Sequence, residues 1–185
     1  QVSDSLSGGG GLGVTYADGI LKRLASPLLA PGAEFAFEGD DVATSWIASL
    51  LWKPGEKHSF GATYRSRTSL DLEGSAGAPA VGLPNGAASL DLVTPDTLVL
   101  GYAYRPNHCW TLEANLEWVN WSRLGTPILK QAFSPDIPLP FNWESNLMYG
   151  AGVTYAPNER WAFSAGYIYI ENSQPDLNFN PAVAD

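Results

Sequence analysis

Residues 97–121 alternate with a period of two. Leu98, Leu100, Tyr102 and Tyr104 fall on one side, and Val99, Gly101 and Ala103 on the other. After Arg105-Pro106-Asn107-His108-Cys109, the residues Trp110, Leu112, Ala114, Leu116 and Trp118 alternate with Thr111, Glu113, Asn115 and Glu117. Alternation with bulky apolar residues on one side predicts β-strand. Pro106 cannot donate to a ladder and Asn107 is a turn former, so the two arms form a hairpin. Pairing Tyr104 with Trp110 would set Gly101 against Glu113 and Thr97 against Glu117.

The same signal recurs along the chain. Over residues 34–53, Val42, Thr44, Trp46, Ala48, Leu50 and Trp52 share a side. Pro54-Gly55-Glu56 turns the chain, and Phe60, Ala62 and Tyr64 resume an alternation that runs to Leu72. Leu147, Tyr149, Ala151, Val153 and Tyr155 lead into Pro157-Asn158-Glu159, and Trp161, Phe163, Ala165, Tyr167 and Tyr169 return. Residues 12–24 alternate more loosely. Residues 1–11, 25–33, 74–88 and 123–143 read as loops, and 172–185 as a polar tail. Pro54, Pro106 and Pro157 recur at near-equal spacing, each after an aromatic-ended strand and before another. The unit is strand, tight turn, strand, long loop. All tight turns then lie at one end of the sheet and all long loops at the other.

That asymmetry separates two environments that want the same alternation. A soluble sandwich packs its apolar face on a second sheet, and its turns lie at both ends. A membrane barrel turns its apolar face to lipid, with short turns at one end, long loops at the other and aromatic girdles at both interfaces. Trp52, Tyr104, Trp110, Tyr155 and Trp161 would form the girdle at the turn end, and Trp118, Trp121, Tyr167 and Tyr169 would approach the other. The expected fold class is all-β: an antiparallel transmembrane β-barrel, with about seven strands present.

Composition agrees. Charged residues are 16% of the 185, against roughly 25% in soluble domains. A net charge of −9 with no basic aromatic patch argues against nucleic acid. The single Cys109 excludes an intrachain disulfide, and two histidines on separate turns with one cysteine make a poor metal site, so none is expected. No nucleophile motif, phosphate loop or convergent carboxylates point to an enzyme or a cofactor. The chain begins at Gln1 in mid-pattern, so it is expected to be an internal fragment, with residues 1–185 a single domain.

Residues 39–74, GDDVATSWIASLLWKPGEKHSFGATYRSRTSLDLEG, resemble the signature hairpin of the long-chain fatty-acid and aromatic-hydrocarbon transporters of Gram-negative outer membranes. The Gly39-Asp40-Asp41 lead-in, the proline turn and Thr63-Tyr64-Arg65-Ser66 carry the match. GVTYADGILKR (13–23) and MYGAGVTYAPNERWAFSAGYIY (148–169) are similar to flanking strands. The resemblance implies the central part of a fourteen-stranded barrel, plugged by an amino-terminal hatch, with a lateral opening through which hydrophobic substrates pass into the membrane. Neither the hatch nor the closing strands are seen in the sequence. Its implied partners are a fatty acid or hydrocarbon, outer-membrane lipid and lipopolysaccharide.

The resemblance also implies that a basic residue near Arg23, beside Lys22, helps hold a substrate carboxylate. By parity Arg65, Arg67, Glu113 and Glu117 face the lumen, where opposite charges pair to fill a plugged barrel. The outer loops carry Leu28, Leu29, Leu83, Ile128, Leu129, Phe133, Ile137, Leu139 and Phe141. Such a set either forms a capture groove for a lipid-like ligand or packs a small loop core. Two other functions fit the alternation: a non-lipid outer-membrane channel or adhesive barrel, and a soluble secreted β-sandwich binding module.

Overall fold

The computed structural model describes residues 5–26 and 30–174, the side chains of 24–26 and 30–32 excepted. Eleven strands form one antiparallel sheet: β1 (Leu6–Ser26), β2 (Ala30–Gly55), β3 (His58–Arg65), β4 (Thr68–Ala78), β5 (Leu83–Thr94), β6 (Thr97–Asn107), β7 (Trp110–Val119), β8 (Ile128–Gln131), β9 (Ile137–Pro138), β10 (Asn146–Asn158) and β11 (Trp161–Ile170). At the tight-turn end the neighbours run β1, β2, β3, β6, β7, β10, β11. This is a seven-stranded meander, as the alternation predicts. At the loop end β4, β5, β8 and β9 extend the sheet from β2.

Four expectations need correction. The 97–121 hairpin pairs Leu98 with Trp118, Gly101 with Asn115 and Tyr104 with Leu112, while Trp110 faces Asn107. The register is thus two residues from the expected one. The cause is a bulge at Pro106, followed by a turn in which Asn107 Oδ1 accepts from Cys109 N and Trp110 N (2.9 and 3.2 Å). The same irregularity recurs at Pro54 and Pro157, and Asn158 repeats the Asn107 turn. Residues 6–11 lie in β1, since their glycines pair with the β2 backbone and need no side-chain signal. Residues 74–88 are not a loop but the closed end of the β4–β5 hairpin, turned at Pro79–Val81. Residues 123–143 contain the short strands β8 and β9.

We call the face carrying Trp46, Leu50 and Leu100 outer, and the opposite one inner. Near the tight turns the outer face is apolar and exposed: Trp46, Leu50, Trp52, Phe60, Leu100 and Leu112 all stand open. Rings stack along its edge, Trp52 on Phe60 (5.3 Å), Phe60 on Tyr102 (4.9 Å) and Trp110 against Tyr155 (4.5 Å). The inner face there carries mainly small and polar residues beside Ile47, Leu51 and Val99, with Gly61 opposite Gly101, and Ser49 Oγ bonded to Thr63 Oγ1 at 3.0 Å.

Toward the loop end this arrangement inverts. In β2 the apolar parity changes: Val42 and Trp46 point outward, but Phe35 and Phe37 point inward and are buried, while Glu34, Glu38 and Asp40 point outward. An outer face that is apolar up to Val42 and charged beyond it has crossed from one solvent to another. The β3–β4 chain solves the same problem differently. Its apolar residues stay even-numbered from Phe60 to Leu72, so the strand itself must turn over. It does so by one residue of register: Ile47 pairs with Arg65, but Asp40 pairs with Glu73. A one-residue slip moves every side chain to the other face. Leu72, Ala76, Leu90 and Leu129 therefore join Phe35 and Phe37 in a buried inner cluster.

The crossing is close. A Cβ on Gly74 would overlap the Glu38 carbonyl oxygen and lie 2.6 Å from Gly39 Cα, while a Cβ on Gly39 would lie 3.1 Å from the Glu73 carbonyl oxygen. Gly74→Val in the full-length protein is expected to cost about 1–3 kcal/mol of folding stability, the usual range for overpacking. Urea unfolding in lipid vesicles measures it, and a neutral Gly74→Val would show that the crossing is looser.

Candidate functional site

The one-residue slip leaves a break in the sheet. Between the Ile47–Arg65 and Asp40–Glu73 pairs, residues 41–46 of β2 stand opposite residues 66–72 without ladder pairing. Side chains close both borders. At the tight-turn side Ser66 N donates to the Trp46 carbonyl (2.9 Å), and Trp46 N donates to Ser66 Oγ (2.9 Å). At the loop side Asp71 N donates to Asp41 Oδ2 (2.8 Å). β3–β4 and β5–β6 meanwhile keep one register through their common bend, with Arg65 opposite Thr97 and Thr68 opposite Thr94. The two strands leave β2 together as a ribbon.

A cavity of about 270 Å³ lies in the break, lined by Thr44, Trp46, Tyr64, Ser66, Arg67, Asp96 and Arg123. Asp96, in the bend opposite Ser66, is buried and organises the polar contacts. Its Oδ1 accepts from Asn120 Nδ2 (3.1 Å) and Arg123 Nε (3.4 Å), and its Oδ2 accepts from Tyr64 OH (3.3 Å). Asn120 Oδ1 in turn accepts from Ser122 Oγ (2.6 Å) and Ser145 Oγ (2.9 Å). The hub therefore ties β3, the ribbon's bend, the end of β7 and the approach to β10. Sequence reasoning did not single out Asp96, Asn120 or Arg123. A signal exists: apolar parity changes within β2 and not within 60–72, and strands that disagree in this way cannot share an unbroken ladder.

The sequence-predicted residues lie in three places. Arg23 is on the inner face at the loop end, opposite Phe35, with its guanidinium 5.3 Å from that ring's centre. Lys22 points outward, opposite Ala36. Of the apolar loop set, Leu129 is fully buried, and Leu83, Ile137 and Leu139 pack on the inner cluster. Phe141 meets Trp143 edge to face at 5.5 Å, and Trp121 meets the same ring at 5.1 Å instead of joining an outer girdle. Phe133 is 63% exposed and passes over Gly86. Ile128 is also exposed. Leu28 and Leu29 lie outside the described residues.

Arg65, Glu113 and Glu117 occupy the inner face, while Arg67 lies past Ser66, where the alternation breaks, and lines the cavity with outward-facing Trp46 and Tyr64. Among the described residues none of the four is in an ion pair. Among the described residues the ion pairs are Arg123–Asp96 and Lys130–Asp91. No cluster of potential metal ligands occurs among them.

The comparisons with known proteins agree with this architecture. Residues 1–185 match the family described as outer membrane protein transport protein (OMPP1/FadL/TodX). A long-chain fatty acid transport protein of Escherichia coli O6:H1 is 23% identical over 179 residues, covering 86% of this chain and 40% of that protein. Among solved structures, a Pseudomonas aeruginosa FadL homologue superposes with a TM-score of 0.85 at 19% identity, covering 98% of this chain and 49% of the other. The Ralstonia pickettii toluene transporter TbuX gives 0.70 at 20% identity, covering 92% and 52%. The chain thus spans about half the length of these relatives, or less. It belongs to the outer membrane protein transport family (OMPP1/FadL/TodX), and its open sheet is part of the wall of a Gram-negative outer-membrane β-barrel.

Proposed function

We propose that the protein takes up hydrophobic small molecules, long-chain fatty acids or aromatic hydrocarbons, by passive diffusion through a plugged barrel, releasing them sideways into the bilayer through the break between β2 and the β3–β4 strand. The observation that carries this reading is the one-residue register mismatch. It interrupts the ladder in the wall at the height where the outer face changes from apolar to charged. Lipid-depth backbone without partners is costly and persists only where it lines a passage. Here side chains of Ser66 and Asp41 supply part of the missing pairing at both borders. The names of the relatives, a fatty acid transport protein and a toluene transporter, support the substrate classes.

Capture at the loop end would use Arg23 for an acidic head and the exposed apolar loop residues, Phe133 among them, for a tail. A guanidinium can hold a carboxylate in two parallel bonds. Arg23→Ala in the full-length protein is expected to weaken fatty-acid binding by about 1.5–3 kcal/mol and leave an uncharged arene unaffected. Equilibrium binding of both ligands to wild type and variant tests it. Unchanged acid binding removes Arg23 from the site, and equal loss for both ligands means that the loop was disturbed.

A further inference from the structure

The cavity in the break carries more positive charge than its protein partners neutralise. Arg67 has no hydrogen bond or ion pair among the described residues, and Arg123 engages Asp96 only through Nε. Asp96 is the cavity's one carboxylate, and it is already shared with Asn120 and Tyr64. Two guanidiniums therefore face one engaged carboxylate at the edge of a lipid-facing wall. At that boundary a guanidinium without a protein partner can take the oxyanion of a ligand. Trp46 and Tyr64, with ring centres 5.0 Å apart, border the same cavity and continue into the apolar outer face.

We infer that this cavity binds the singly charged oxyanion headgroup of an amphiphile, whose chain lies along Trp46 and Tyr64. Guanidiniums suit both carboxylate and phosphate oxygens, and their planar fork can grip two at once. The two guanidiniums and one carboxylate of the lining leave one net positive charge, which a carboxylate or a phosphodiester neutralises; Asp41, at the loop-side border and outside the lining, is held by Val42 N and Asp71 N. The ligand is then either a membrane phospholipid resident in the wall or a fatty acid on its way out. The inference rests on the break facing lipid, and it holds whether or not substrate leaves there.

The test uses full-length protein in detergent, with brominated chains as quenchers of tryptophan fluorescence and Trp46→Phe identifying the local signal. The probes are a bromo-fatty acid, a bromo-phosphatidylglycerol and a bromo-alkanol of matched length. Anionic probes should quench Trp46, and Arg67→Gln should weaken that quenching roughly tenfold. Arg67 has no protein partner, so the variant should fold as wild type; Arg123→Lys, keeping charge and the Asp96 contact, should lose less. Quenching by the acid alone identifies an exit subsite, and by the phospholipid alone a resident-lipid site. Quenching by both means that only headgroup charge is read. Equal quenching by the alkanol, or no effect of Arg67→Gln, overturns the inference without touching the transport reading, whose test is uptake of a neutral arene.

Discussion

Deleting Arg67 together with Pro95 should seal the wall and lower uptake of an uncharged arene by about tenfold or more, equivalent to ~1.4 kcal/mol added to the exit barrier. The two residues lie opposite each other in the ribbon's bend, between the Arg65–Thr97 and Thr68–Thr94 pairs. Removing both preserves the register within the ribbon and takes one residue from each of its strands. Residues 41–46 of β2 would then meet an equal number of residues, while Asp40 still pairs with Glu73 and Leu72 still points inward. The ladder can close without disturbing the inner cluster. Pro95→Ala is the control: it keeps the extra residue and therefore the break, and Pro95 is outside the cavity's lining, so arene uptake should stay near wild type. A folded double-deletion barrel with undiminished uptake would mean that substrate leaves by another route.

Arginine in place of Leu100 should cost about 2–4 kcal/mol of folding stability, while arginine in place of Val99 should cost much less. Leu100 lies mid-strand on the outer face, flanked by Ala62 and Leu116, and it is exposed although apolar. In a membrane that exposure is contact with hydrocarbon. Val99 is on the inner face, opposite Thr63 and Glu117, where a guanidinium meets water and a carboxylate. Leu112 pairs with Tyr104, near the aromatic edge, so arginine there should cost less than at Leu100, because the penalty falls toward the interface. Asn115→Arg, on the inner face, should again be mild. Reversible urea unfolding in vesicles measures all four. Equal costs on the two faces would remove the lipid from the outer side.

The meander was legible because alternation is a local property and each strand reports its own parity. The tight turns were legible for the same reason, since Pro54, Pro106 and Pro157 announce themselves. Register was not, because a bulge adds a residue without changing composition. Thus Tyr104 was set against Trp110 and not Leu112. Residues 74–88 looked like a loop because small residues suit a close crossing: Gly74 and Gly39 meet where a side chain has no room. Arg23 was singled out by a family resemblance, and it lies opposite Phe35 on the inner face, outside the cavity's lining. The cavity could not be found from any single strand, since it arises where β2 changes its apolar parity and β3–β4 does not. Arg67 was placed in the lumen by extending the alternation of Arg65 across Ser66, where the ladder in fact stops.

The wall is open between β2 and the start of β4, where residues 41–46 and 66–72 form no ladder. In a Cys109→Ser background of the full-length protein, cysteines at Ala48 and Tyr64, which are ladder partners, should form a disulfide under mild oxidation. Cysteines at Thr44 and Thr68, which would face each other if that register simply continued, should remain reduced, because a disulfide requires Cα atoms within about 7 Å. Oxidation of the first pair alone is the predicted result. If the second pair cross-links as readily as the first, the ladder is continuous and there is no opening in this wall.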